Sequence, residues 1–294
     1  MIDPKMLEQI KSGQGFIAAL DQSGGSTPGA LKGYGVDEES YAGDEEMFAL
    51  IHDMRTRIIT SPCFTGDKVI GAILFEKTMD GDAEGTPVPE ALWQRGVVPF
   101  LKVDKGLEDE ADGVKLMKPM PELDALCARA VAKGVFGTKM RSVIETASPT
   151  GIAAIVKQQF EMAAQISAHG LMPIIEPEVS IKSPERAQCD LILRDEVLKA
   201  LDAMSEGQVM LKLTLPAEAN LFAPLVDHPR VLRVVALSGG FSRDEACRQL
   251  AQNGGIIASF SRALLSDLRH QMSADEFDGA LGTAIDDIHS ASVA

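Results

Sequence analysis

The sequence predicts an α/β protein, a single (β/α)8 barrel of the TIM type with an N-terminal helical extension, occupying residues 1–294 as one domain. Three observations carry that reading. Eight short runs rich in β-branched and apolar residues recur along the chain, and most intervals between them have helical period. No Pro-, Gly- or Ser-rich linker divides the 294 residues into two units.

Each element has its own signal. The first strand, 15–21 (GFIAALD), opens into the longest irregular stretch, 24–46, with six glycines and an acidic tail. It reads as an active-site loop or lid, the plainer alternative being a solvated surface loop. Helical period follows over 46–60, then the second and third strands at 69–76 (VIGAILFE) and 97–104 (VVPFLKVD). A helix over 122–133 leads to strand four, 136–144 (FGTKMRSVI), and a helix over 150–168 to strand five, 171–179 (LMPIIEPEV). Helices over 184–204 and 217–226 flank strand six, 209–215 (VMLKLTL). Strand seven, 234–240 (VVALSGG), precedes a helix over 242–253, and strand eight, 256–262 (IIASFSR), precedes one over 262–270 and a terminal helical segment after 273. Ser242 with Glu245 fits a capping box at the start of its helix.

Composition narrows the function. Lys plus Arg number 28 against 43 Asp plus Glu, a formal charge of −15 that repels polyphosphate and excludes nonspecific nucleic-acid binding as a role. Any anionic ligand must meet a local positive pocket. Cys63, Cys127, Cys189 and Cys247 form no CxxC pair, and the five histidines have no HxH or HxxxH spacing, so neither disulfides nor a metal site is expected. The polar N-terminus lacks a signal-peptide pattern and no apolar run reaches ~18 residues, so a cytoplasmic protein without a membrane partner is expected. His52, Trp93 and the methionines read as packing or surface residues. Outward helix faces of mixed Ala, Leu and charge suit a monomer or a homo-oligomer equally.

The chemistry lies in charges where strands should be apolar, since a parallel barrel covers its strands on both faces. In strand six, period two sets Met210, Lys212 and Thr214 on one face and Val209, Leu211, Leu213 and Leu215 on the other, so Lys212 points into the barrel. Burial of an ammonium lowers its pKa, and a neutral amine is a nucleophile; the plainer reading is a lysine paired with a carboxylate or reaching solvent. It is not alone. Strand four brings Lys139 and Arg141, strand three Lys102, strand five Glu176 and Glu178, and the end of strand one Asp21. With Arg262 these make five cations against three carboxylates, a mouth near +2 suited to an anionic substrate. Ser238, Gly239 and Gly240 end strand seven and Arg262 ends strand eight, where this architecture commonly binds phosphate. Ser23, Gly24, Gly25 and Ser26, with Lys102, offer a second cradle. A barrel lysine, carboxylates and two phosphate cradles suit imine formation with a phosphorylated ketone, and need no external cofactor.

Seven motifs carry a resemblance: AALDQSGGSTP around Asp21, GVVPFLKVDKG around Lys102, GTKMRS around Lys139 and Arg141, PIIEPEV around Glu176 and Glu178, MLKLT around Lys212, LSGG around Ser238, and ASFSRAL around Arg262. From about residue 14 onward the chain resembles the short bacterial form of the class I fructose-bisphosphate aldolases. That resemblance implies a lyase of glycolysis and gluconeogenesis that reversibly cleaves fructose 1,6-bisphosphate to dihydroxyacetone phosphate and glyceraldehyde 3-phosphate through an imine on Lys212, with no metal. It implies Glu176 as principal acid/base, with Asp21, Lys139 and Glu178 in support. Ser238, Gly239, Gly240 and Arg262 match positions around the phosphate next to the ketone, and Ser23, Ser26 and Lys102 those near the distal one; Arg141 joins the substrate-binding set. Two positions depart from the animal-type pattern. The sequence ends Ser-Val-Ala, with Tyr34 and Tyr41 as its only tyrosines, which leaves the enamine proton donor unassigned, and Gln22 stands where that pattern has glutamate. The rival readings are a class I aldolase for another ketose phosphate such as tagatose 1,6-bisphosphate, a transaldolase-like enzyme, and a non-catalytic phosphosugar-binding barrel.

Overall fold

A computed structural model describes residues 3–294. Eight parallel strands follow one another around a barrel in sequence order: β1 (Phe16–Leu20), β2 (Val69–Leu74), β3 (Val98–Lys102), β4 (Gly137–Ile144), β5 (Met172–Val179), β6 (Val209–Thr214), β7 (Val231–Leu237) and β8 (Ile256–Ala258). All eight strands foreseen in the sequence are present. No ladder joins β8 to β1 among the described residues; the seam is closed by the Ala19 N–H, which donates to the Phe260 carbonyl at 3.1 Å.

Strand alternation builds two cores. Inward residues Ile17, Ile73, Val98, Phe100, Met172, Ile174, Met210, Val235 and Ile257 fill the lower barrel. Outward residues such as Leu20, Leu74, Leu101, Ile175, Leu211 and Leu213 pack beneath the helices. Helix α1 (Pro4–Ser12) is the N-terminal extension, and it plugs the bottom with Met6 and Ile10. It starts where the Asp3 side chain accepts from the Lys5 and Met6 amides, with Pro4 in the first turn. The half-buried Arg233 of β7 donates to the Lys11 and Gly13 carbonyls and so secures the other end.

The helices are α2 (Thr27–Gly33), α3 (Gly43–Thr60), α4 (Glu76–Asp80), α5 (Val88–Gln94), α6 (Leu123–Ala132), α7 (Pro149–Ala168), α8 (Arg186–Asp202), α9 (Ala223–Val226), α10 (Arg243–Leu250), α11 (Arg262–Leu265) and α12 (Ala274–Ser292). Several differ from the sequence pattern. The long first loop contains α2 and two 3-10 turns, so it is less irregular than its glycines suggest. The interval between β2 and β3, for which the periodicity proposes no helix, holds α4, α5 and a two-stranded ribbon. The helix expected over 217–226 shrinks to α9 because Asn220 takes a left-handed φ of 62° and Pro224 must start a helix rather than continue one. The helix expected over 262–270 stops at Leu265; beyond it the His270 N–H donates to the Tyr34 carbonyl, tying this segment to the first loop.

The capping box expected at Ser242 is only half made. Ser242 accepts from the Glu245 amide, but the Glu245 side chain turns to Arg248 and Gln249. Both halves are present instead at Ser273 and Glu276, the start of α12. No helix among the described residues is long and apolar enough to cross a membrane.

Candidate active site

The upper barrel reverses the chemistry of the lower. Two residues beyond Met210 on the same inward face of β6 stands Lys212, and two beyond Ile174 on β5 stands Glu176. Each side chain is therefore lifted off an apolar floor into the mouth. Lys212, Lys139 and Glu176 are 3%, 3% and 4% exposed, a depth at which an unpaired charge would not be tolerated. Glu176 joins the two lysines: Oε1 lies 3.2 Å from Lys212 Nζ and Oε2 2.9 Å from Lys139 Nζ. Asp21, at the exit of β1, lies 2.6 Å from Lys139 Nζ on its other side. The backbone of Glu176 is held as well, its N–H donating to the buried Gln159 of α7 at 2.9 Å.

This chain of alternating charge has a definite ionisation. Burial alone would discharge Lys139, but Asp21, Glu176 and Asp104 outweigh it and hold the ammonium well above the usual lysine range. Burial likewise pushes the Asp21 carboxyl up, yet Lys139, Lys212 and Lys102 bring it below the ordinary carboxylate range. Glu176 follows the same pattern: burial raises it, and Lys139 and Lys212 lower it further than burial and Asp21 together raise it. Both carboxylates are therefore ionised and Lys139 is a fixed cation. Lys212 is thus both buried, as its place among leucines predicts, and paired with a carboxylate at 3.2 Å, as the plainer reading of it has it.

A second tier lies above the first. Lys102 Nζ is 2.7 Å from both the carboxylate and the carbonyl of Asp104, whose other oxygen accepts from the Arg141 amide at 3.2 Å. The Arg141 side chain is bound to Glu178. Glu178 thus belongs to this outer pair, and among the described residues it makes no ion pair or hydrogen bond with Lys139 or Lys212, the lysines it was expected to support. Both tiers line one cleft of about 1190 Å³ that also receives Ser23, Ser26, Ser238, Gly239 and Arg262. Glu76, Asp104 and Lys105 reach it too, so its walls carry six cations against five carboxylates, less positive than the expected +2.

The two cradles differ in readiness. Gly239 and Gly240 have φ of 60° and 117°, values that disfavour any side chain. A Cβ on Gly240 would sit 3.3 Å from Arg262 Nη2, so the guanidinium lies against bare backbone. Arg262 makes no ion pair or side-chain hydrogen bond among the described residues, and the nearby Ser259 hydroxyl is buried without a partner. By contrast, Ser23 and Ser26 bond each other, the Ser26 hydroxyl accepting from the Ser23 amide and donating to its carbonyl, each at 2.9 Å. Lys102, their expected companion, is already engaged by Asp104.

Of the charged residues that sequence reasoning missed, Asp104 and Arg55 carried a signal. Asp104 lies two positions beyond Lys102, the same spacing that singled out Glu176 and Glu178. Arg55, 1% exposed, sits on α3 at helical spacing from Ile51, Ile58 and Ile59, so an arginine on the apolar stripe was its signal.

Comparisons with known proteins bear on the family and the fold. Residues 6–229 match the family described as Fructose-bisphosphate aldolase class-I. The fold is similar to fructose-bisphosphate aldolase from Plasmodium falciparum, solved in complex with TRAP and a small-molecule inhibitor, at a TM-score of 0.83 and 21% identity, covering 98% of this chain and 93% of that one. A flavocytochrome b2 variant with benzoylformate matches at a TM-score of 0.45 and 10% identity, over 81% of this chain and 59% of that one. The chain belongs to the class-I fructose-bisphosphate aldolase family and is a lyase.

Proposed function

We propose that Lys212 is the amine that forms the imine, that Glu176 moves the protons, and that the substrate is fructose 1,6-bisphosphate. The observation that carries this is the single carboxylate shared between Lys212 and Lys139. Lys212 gives its proton to Glu176 and attacks the ketone carbon; the resulting carbinolamine loses water to leave an iminium. The iminium then accepts the electron pair of the bond between carbons three and four, while a carboxylate takes the proton of the hydroxyl on carbon four. Glyceraldehyde 3-phosphate departs, a proton returns to carbon three of the enamine, and water releases dihydroxyacetone phosphate and restores the lysine. Lys139 stays charged throughout and steadies Asp21 and Glu176 as they approach developing charge.

In the same proposal Ser238, Gly239, Gly240 and Arg262 hold the phosphate next to the ketone. Ser23, Ser26 and Lys102 hold the distal one once Lys102 exchanges Asp104 for it, and Arg141 stands beside the chain of the sugar. The covalent carrier is Lys212, with no metal, so an added chelator is expected to leave the rate unchanged. Cytoplasmic localisation and the phosphorylated ketose and trioses as partners rest on the family alone. Borohydride reduction with dihydroxyacetone phosphate tests the assignment: one adduct on Lys212 is expected, and a Lys212→Ala protein that still traps substrate overturns it.

A further inference from the structure

One buried cation takes no part in that chemistry. Arg55 is wholly enclosed on α3, yet no carboxylate lies within ion-pair distance among the described residues. Its Nη1 donates to the buried Thr78 hydroxyl of α4 at 2.7 Å, and its Nη2 to the Gln22 carbonyl and, at 3.3 Å, to Gln22 Oε1. Burial pulls the guanidinium down to about 10, against the field of Asp21. Methionine or leucine would fill such a place at far lower desolvation cost, so packing alone does not explain an arginine.

What it holds is informative. Gln22 directly follows Asp21, and its other amide atom, Nε2, donates to the Ser261 hydroxyl at 2.5 Å and to the Ala19 carbonyl at 3.3 Å. Ser261 directly precedes Arg262. One glutamine side chain thus spans the seam between the exits of β1 and β8, with its carbonyl end fixed by Arg55, and Arg55 in turn reaches α4 beyond β2. A glutamate at position 22 could not make the same span, because a carboxylate has no N–H to donate to Ala19 and would neutralise Arg55.

We infer that Arg55 and Gln22 are positioning residues that lock the exit of β1, carrying Asp21, to the exit of β8, carrying Arg262, so that the supporting carboxylate and the anion cradle keep one fixed separation. This rests on the roles proposed above for Asp21 and Arg262. Arg55 lies behind the cleft wall, and Gln22, which lines it, has both ends of its amide engaged by Arg55, Ser261 and Ala19, so in this reading they act through Asp21, Ser261 and Arg262.

The test is a double-substitution cycle on the full-length enzyme with Arg55→Met, Gln22→Met and the pair together, reading kcat/KM for fructose 1,6-bisphosphate and the inhibition constant of inorganic phosphate. Each single change is expected to lower kcat/KM by about tenfold and to weaken phosphate inhibition by several-fold, and the double variant is expected to be no worse than the poorer single one. Gln22 is only half-buried, so Gln22→Met carries the test if Arg55→Met does not fold. Singles within twofold of the parent, unchanged phosphate inhibition, or losses that multiply in the double variant overturn the linkage. Borohydride trapping run alongside separates the two readings: no adduct on Lys212 in the unsubstituted enzyme defeats the imine assignment, whereas normal trapping with multiplying losses defeats only the lock.

Discussion

The floor and the mouth of the barrel are built from the same strands two residues apart, and they obey opposite rules. Below, Ile174 and Met210 join an apolar cluster sealed by Ile10 of α1. Above, Glu176 and Lys212 join a chain of charges as deeply enclosed as that cluster. A buried methyl group contributes by leaving water, whereas a buried charge costs about several kcal/mol unless partners offset it. The floor therefore holds the fold together, and the mouth is carried by it.

That division can be broken by substitution. The largest effect is expected from Lys212→Ala: kcat should fall by about 10⁴-fold or more while thermal unfolding moves little, since Glu176 keeps Lys139 as its partner. A melting temperature that collapses with the activity would mean the mouth is structural. For Glu176→Gln, turnover should drop by about 100-fold or more, with slower imine formation in a rapid-quench trapping assay; an unchanged rate removes Glu176 as the proton carrier.

Ile174→Ala probes the other side. It should destabilise by about 2–5 kcal/mol in denaturant titration, with kcat per folded molecule within about threefold of the parent. Equal losses in both would show that floor and mouth are coupled. The smallest effect is expected at a buried carboxylate outside both regions. Asp190 of α8 accepts from the Ala217 amide at 2.8 Å, and burial raises its carboxyl from 3.8 to about 6, against the pull of that N–H and of Arg186. Because the folded carboxyl holds its proton more tightly than the unfolded one, stability falls as pH rises from about 4 to about 6 and stays lower above it. Asp190→Asn should thus stabilise by about 1–3 kcal/mol near pH 7 and by almost nothing near pH 4. Denaturant midpoints at the two pH values check the sign.

Much of this is legible in the sequence alone. The eight strands announced themselves by β-branched runs, and Lys212 by standing among leucines whose alternation left only one face for it. Period two likewise aligned Lys139 with Arg141 and Glu176 with Glu178. What alternation could not give was which charge meets which. That depends on register between strands: Arg141 pairs with Glu176 in the ladder, yet its side chain goes to Glu178, one step nearer the mouth. Tertiary partners also settled lengths that periodicity overstated, as where Asn253 and Asn220 bond each other's loops beside α9 and α10. Arg55 was hidden for a different reason, since its partner Gln22 is 33 residues away and has no charge to advertise the pair.

The join between the last strand and the first gives the cylinder a hem. Every other pair of neighbours is stitched by a ladder, but among the described residues this seam is crossed only by the Ala19–Phe260 and Gln22–Ser261 bonds, while the Ala258 amide donates to Ser292 of α12 at 3.0 Å. Amide exchange should therefore run fastest along this edge of the wall. With no ladder behind it, the spacing of Asp21 from Arg262 rests on the Ala19–Phe260 and Gln22–Ser261 bonds alone among the described residues.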